Sequence, residues 1–408
     1  MSPRARLSLF WLLYMAGMGL VFPYQALYFR ENAGLSGTQL GLLLGVRPLM
    51  GMLFQPFWGQ VADRTGSRTR VLAGIAVANS LLLALLPMAR GFAPLLLAMA
   101  GAALFGTSLM PMAISVSMAA LGRQATSHFG RVRVWGTVGF LILVVGFPWL
   151  LHGWQQLRNL ESAPGGPSEP GLGLLFLLAA LLTLAAAGVA WTLPARGALV
   201  ARAQRGDLRR LLRHGPYLRL LVFTFSAYLC LQGPILLFPV LVRAHGGDVG
   251  TLSRMWIPML LLEIPLVSLS GANLRRVGAR GLLAIGVAAD GLRWLGCSLA
   301  PSLAWIYALQ LLHGVVVAGL ILGIALYVES VVPERLRSTG QGLVAMLGIS
   351  FAAMLSASSA GWLLDHFGTV APYRVGGAGA LLLSLAVPWL LPRPSRPPDS
   401  PVTEAHLD

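Results

Sequence analysis

Five ionisable side chains stand inside runs of otherwise apolar residues: Arg47, Glu263, Asp290, Arg293 and His313. Their chemistry is that of charge held away from water. A charge at the centre of a bilayer costs at least ~2.5–3.5 kcal/mol on insertion scales, so such groups must pair or line a wet cavity. Asp290 and Arg293 are three residues apart, share a helix face and can pair. A desolvated carboxylate beside a guanidinium can take up and release a proton as its surroundings change. The set therefore reads as a proton-coupling network, or else as a static one that ties helices together. Arg47, just before Pro48, could bind a substrate carboxylate, or could snorkel or pair within the protein. Trp135 and Trp294 could stack on a substrate ring or simply pack.

The elements that must position these groups follow from composition. The 408 residues are 56% hydrophobic and only 11% charged, against roughly 25% charged in soluble domains. So little polar surface cannot cover a water-soluble fold of this size, and the solvent for most of the surface must be lipid. The net charge of +16 would suit a nucleic-acid binder. However, the basic residues are all arginines in small clusters between apolar runs, which excludes a basic face on a soluble domain. Cys230 and Cys297 both fall in apolar runs, so neither a disulfide framework nor a metal site is expected.

Apolar runs of helix-spanning length recur near 7–29, 38–62, 70–89, 93–119, 132–151 and 172–193, then near 217–242, 250–273, 280–299, 303–330, 338–364 and 371–391. The first is read as an uncleaved span. The expected fold is an all-α membrane protein of twelve transmembrane helices in two pseudo-symmetric six-helix bundles. Residues 1–193 form the first bundle, 194–216 a basic cytoplasmic linker, 217–391 the second bundle and 392–408 a Pro-rich disordered tail. Arginine clusters occupy the N-terminus, every even-to-odd loop and the C-terminus. By the positive-inside rule both termini are cytoplasmic and the protein is multi-pass in the inner membrane.

Two segments repeat between the halves. Gly59-Gln-Val-Ala-Asp63-Arg64-Thr-Gly66-Ser-Arg68 after span 2 matches Gly271-Ala-Asn-Leu-Arg275-Arg276-Val-Gly278-Ala-Arg280 after span 8. Arg131-Val-Arg133-Val-Trp-Gly136 matches Arg335-Leu-Arg337-Ser-Thr-Gly340 more weakly. Both pairs keep register with the span count, which argues for duplication and for a midplane site between the halves.

The first repeat resembles the loop motif of the major facilitator superfamily, G-x-x-x-D-[RK]-x-G-x-[RK]. That resemblance implies that Gly59, Asp63, Arg64, Gly66 and Arg68 form a cytoplasmic gate. Physically, an acid and two bases on a glycine turn can exchange ion pairs between two states. The chain is also similar to the lactose permease and 3-phenylpropionate permease group, through Leu53-Phe54-Gln55-Pro56, Phe129-Gly130-Arg131-Val132-Arg133, and Glu263, Arg293 and His313. By that resemblance Glu263 and His313 close a network around Arg293, and Arg133 binds substrate. The resemblance departs at Val316, where lactose permease has its proton-carrying glutamate, and in span 4, which reads Met112-Ala-Ile-Ser115-Val-Ser117 without the acid that binds sugar.

Other classes fit less well. Gly34-Leu35-Ser36-Gly37 matches G-x-S-G of intramembrane serine proteases, but Ser36 sits where a helix-start residue belongs. No H-E-x-x-H or P-loop occurs. The expectation is therefore not an enzyme but a cofactor-free, monomeric secondary transporter. It would move an aromatic acid, sugar or nucleoside by alternating access, in symport with protons. A drug or metabolite efflux antiporter, or a non-transporting sensor on the same fold, is the alternative.

Overall fold

The computed structural model describes residues 1–122, 125–162, 167, 169–194, 211–268 and 272–392. Most of the basic linker and the tail thus lie outside the described residues, as do Gly271 and the side chains of Arg275 and Arg276 of the second repeat. The first six helices are α1 (Pro3–Leu27, prolonged by a π turn over Tyr28–Asn32), α2 (Gly37–Thr65), α3 (Arg68–Leu85), α4 (Phe92–Leu121), α5 (Ala125–Leu157) and α6 (Leu174–Trp191). The second six are α7 (Gly215–Ala244), α8 (Val249–Ser268), α9 (Ala272–Ser298), α10 (Leu303–Val331), α11 (Thr339–Phe367) and α12 (Ala371–Leu390). Ten are long and apolar enough to cross a membrane. The other two are α8 and α9, which carry Glu263, Asp290 and Arg293.

Local sequence sets the ends of these helices. Ser36 is the N-cap of α2: its hydroxyl accepts from Gln39 N at 3.1 Å, and the Gln39 side chain bonds back to Ser36 N. This capping box accounts for the G-x-S-G match without any protease chemistry. Asp248 caps α8 in the same place, accepting from Thr251 N at 2.6 Å. Gly34 and Gly246 precede these two caps by two residues, and both take left-handed φ, 66° and 83°. The duplicated loops behave alike as well. Gly66 ends α2 at φ 64°, and Gly278 breaks α9 at φ 73°, conformations that a Cβ would penalise.

Packing repeats the duplication pair by pair. In the first half α1 packs on α5 and α6, α3 on α4 and α6, and α2 on α4. Adding six to each label gives the second half: α7 on α11 and α12, α9 on α10 and α12, and α8 on α10. The halves meet through α2 with α11 and through α5 with α8, which is again one pair and its symmetry mate. Leu211, at the described end of the linker, is buried in the second half's core. Prolines stand inside the cavity-lining helices, Pro23 in α1, Pro48 and Pro56 in α2, Pro111 in α4 and Pro234 in α7, and each removes a backbone donor there.

With twelve spans, both chain ends lie on one face, the termini face. The apolar core is distributed unevenly between the two faces. At the opposite, far face a single core runs through both halves, from Leu20, Tyr24 and Leu40 to Phe238, Trp256 and Leu364. Toward the termini face it divides into two separate cores, one per half. The halves are therefore fused at the far face and parted at the termini face.

Candidate functional site

The parting holds a cavity of about 520 Å³ between the halves, within the usual size of small-molecule sites. From the first half α1, α2 and α4 supply Tyr14, Gln25, Arg47 and Thr107. From the second, α7 and α11 supply Gln232 and Ser350. Apolar side chains make up most of the rest of the wall, among them Met18, Phe22, Met110 and Leu236. The wall has one cation, Arg47, and no carboxylate among the described residues.

The far face is shut by backbone contact and by charge. Gly37, Gly41 and Gly45 on α2 face Ala357 and Gly361 on α11 so closely that a Cβ on Gly41 would fall on the Ala357 carbonyl. Small residues permit such an approach between helices. The Asp365 carboxylate then caps α2 from the other half, accepting from Gly37 N at 2.6 Å, Thr38 N at 2.7 Å and Thr38 Oγ1 at 2.8 Å. Arg243, at the end of α7, pairs with Glu31 at 3.0 Å and Glu169 at 3.2 Å, both in the first half. Below this lid the Trp256 ring of α8 meets Phe22 of α1 and Phe140 of α5 edge-on, with centroids 5.6 and 5.5 Å apart. The sequence offers little sign of Glu31, Glu169 and Asp365, since isolated acids in loops read as solvated. The one available signal is that acids are few in the whole sequence, 14 in 408 residues.

The network in the second half centres on Arg293, which is fully buried. It donates to Gln310 Oε1 through Nε (3.1 Å) and Nη2 (2.6 Å), contacts His313 Nδ1 at 3.0 Å and lies 4.0 Å over the Trp294 ring. A guanidinium only donates, so His313 Nδ1 must accept and Nε2 carries the proton. That Nε2 lies 3.8 Å from Glu263 Oε2, outside hydrogen-bond range. Glu263, Arg293 and His313 are thus brought together.

Asp290 lies within electrostatic reach of Arg293 but makes no hydrogen bond or ion pair with it among the described residues. The helical spacing suggests an Asp290–Arg293 pair, but the guanidinium turns to α10 instead, and Asp290 Oδ1 is buried without a hydrogen-bond partner. Gln310 takes that place from an irregular turn of α10, Gln310–Leu311, which no helical periodicity reveals. Val316 is buried in the second half's core.

The expected substrate contacts separate in the same way. Arg47 lines the cavity. Arg133 lies 4.6 Å over the Trp11 ring, whose indole N–H is held by Ser117 Oγ at 3.0 Å. Trp135 is exposed on α5 and outside the cavity wall. Trp294, read from the sequence as a substrate contact, is fully buried in this conformation against Phe238 and Tyr373 and does not line the cavity.

At the termini face, Asp63 pairs with Arg68 at 2.6 Å and Arg68 donates to Ser115 Oγ of α4 at 2.9 Å. Gly59 and Gly66 flank this turn and Arg64 is exposed. The bonds of Asp63 and Arg68 stay within the first half, as a cavity open on that side requires. They adjoin a second space of about 200 Å³.

Comparisons with known proteins agree with this architecture. The MFS_1 like family matches residues 4–375. The maltose permease of Geobacillus stearothermophilus is 27% identical over 375 residues, covering 90% of this chain and 89% of the permease. The multidrug resistance protein MdtH of Klebsiella pneumoniae is 23% identical, covering 93% and 91%. The crystal structure of a mutant nucleoside transporter NupG superposes with a TM-score of 0.81 over 96% of this chain and all of that one; at 15% identity this likeness speaks for the fold alone. An all-α fold of duplicated six-helix halves, the glycine-turn motif and a family match over nearly the whole length lead to one assignment: the chain belongs to the MFS_1-like family of major facilitator transporters.

Proposed function

We propose that this protein carries a small organic solute across the inner membrane by rocking its two halves about the Arg47 cavity, in symport with protons. The carrying observation is the split core: the halves share one core at the far face and have two at the termini face. A site reached from one side only, between two symmetry-related bundles, is what alternating access needs. The arginine distribution makes the termini face cytoplasmic, so this conformation is cytoplasm-open. Aromatic acids, sugars and nucleosides are the candidate solutes.

Proton coupling is read from the Glu263–His313–Arg293 chain. A proton arriving at His313 Nδ1 must displace an Arg293 N–H, because both need the same lone pair. His313 would then be cationic, and its attraction to Glu263 would strengthen. The His313 ring also touches Trp256, with centroids 6.4 Å apart, and Trp256 seals the halves. Charge in the network is thereby linked to the packing that must part when the far face opens. One second reading has support: the largely apolar wall and the MdtH likeness favour export of an apolar compound in exchange for protons.

The test uses Glu263→Gln, which keeps the side chain's shape and removes the proton acceptor. Proteoliposomes are assayed for uphill accumulation under a proton gradient and for downhill counterflow, with maltose, uridine and phenylacetate as probes. Accumulation should fail while counterflow survives. Accumulation at the wild-type level would contradict coupling through Glu263.

A further inference from the structure

A deeply placed arginine needs acceptors, and the described ones can be compared group by group. Arg293 has Gln310, His313 and the Trp294 face. Arg68 has Asp63 and Ser115, and Arg243 has Glu31 and Glu169. Arg133 has the Trp11 ring and lies within electrostatic reach of Glu263. Among the described residues Arg47 has neither a carboxylate partner nor an aromatic face over its guanidinium, whereas each of these has one or the other. Its one hydrogen-bond partner is the Met18 thioether, 3.4 Å from Nη2, a weak acceptor. Among the described residues the other guanidinium donors have no protein acceptor, and the cavity wall before them holds no carboxylate. Four more polar side chains line the same space with no hydrogen-bond partner among the described residues: Tyr14, Gln25, Gln232 and Ser350. Tyr14 lies within electrostatic reach of both Arg47 and Arg133.

We infer that the solute is an organic monoanion with an apolar body, and that its carboxylate is the missing counter-ion of Arg47. The inference rests on reading this cavity as the solute site. A planar fork of donors matches a carboxylate in bidentate geometry and is desolvated at lower cost than an ammonium. Tyr14 reaches the same end of the solute. Met18, Phe22 and Leu236 receive its apolar body, and Gln25 and Gln232 read a polar substituent on it. A neutral sugar would leave the cation unmatched, and an organic cation would be repelled by it. When the solute leaves, Arg47 is exposed to cytoplasmic water through the open cavity. Closing the termini face over an empty site would strand the charge, so the anion favours the crossing that carries it.

Thermal unfolding of the purified full-length protein tests this with matched probes. These are acetate, phenylacetate and 4-phenylbutyrate, the amides of the last two, maltose and uridine. The carboxylates should raise the melting temperature saturably, phenylacetate and 4-phenylbutyrate more than acetate, and the amides should not. Arg47→Gln should weaken carboxylate binding by at least ~30-fold, and Arg47→Lys should retain part of it. Without any ligand, Arg47→Gln should melt at or above the wild type, because it removes an unmatched charge. Arg293→Gln should melt below it, because it breaks a satisfied network. A ligand-free Arg47→Gln that melts as low as Arg293→Gln would make Arg47 structural and overturn the assignment. So would stabilisation by maltose or uridine that is equal in wild type and Arg47→Gln, or no response to any carboxylate. Carboxylate binding lost in Arg47→Gln, with no flux of that carboxylate in proteoliposomes, would uphold the anion site and sink the transporter reading instead.

Discussion

Replacing Asp365 by alanine should open the far face. In this structure its carboxylate accepts three hydrogen bonds from Gly37 and Thr38, across the boundary between the halves. It also lies 3.9 Å from Arg30. Losing a side-chain cap costs ~1 kcal/mol, and losing a negative charge at a helix N-terminus costs ~0.3–1 kcal/mol more. The Asp365 side chain is 24% exposed, so water replaces part of what is lost. A net ~1–2 kcal/mol against the far-closed form alone is a shift of roughly 5–30-fold in its population. α2 keeps Ser36 as its own N-cap, so the fold itself should survive. Spin labels at Asn159 in the α5–α6 loop and Thr369 in the α11–α12 loop report the far-face separation. A longer-distance population should grow in Asp365→Ala, and also in Arg243→Gln, which loses Glu31 and Glu169. A distance distribution unchanged in both variants would refute the view that these contacts hold the gate shut.

Two further outcomes follow from local geometry. Gly361→Val should abolish far-face closure, because a Cβ there falls on the Gly37 carbonyl; the same spin-label pair should then show the long distance as the main population, with expression retained. Asp248 lies outside the membrane-spanning helices. The Thr251 hydroxyl and backbone N–H hold its carboxyl below the ordinary value. A depressed folded value contributes stability above the unfolded pKa of about 3.9 and loses it as pH falls through the folded value. Asp248→Ala should therefore cost ~1 kcal/mol at pH 7, and the gap in melting temperature from wild type should narrow at about pH 3.

Much of the fold was legible in the sequence because the bilayer imposes it. Apolar runs of spanning length and arginine clusters in alternate loops give the spans, and Gly66 and Gly278 mark the duplication. Their left-handed φ is why glycine stands at both positions. The charged trio of Glu263, Arg293 and His313 was legible because charge in an apolar run is costly and must be matched. Its internal pairing was not. Helical spacing offered Asp290 to Arg293, whereas Gln310 comes from the irregular turn Gln310–Leu311 of α10, on another helix. The same limit applies to Trp294, whose aromatic character cannot tell a solute platform from a core ring. The far gate was hidden for another reason. Glu31 and Glu169 lie far along the chain from Arg243, as Asp365 does from Gly37 and Thr38, and each pairing forms only when the two halves close.

The direct test of alternating access is to lock the far face. Thr38→Cys with Asp365→Cys, in a background where Cys230 and Cys297 are serine, places two thiols where a side-chain hydrogen bond now joins the halves. Counterflow in proteoliposomes is measured after oxidation and again after reduction, using whichever of phenylacetate, maltose and uridine stabilises the protein. Counterflow should stop when the disulfide forms and return when it is reduced, while binding from the termini side persists throughout. Counterflow that continues in fully cross-linked protein would contradict transport by opening and closing of this face.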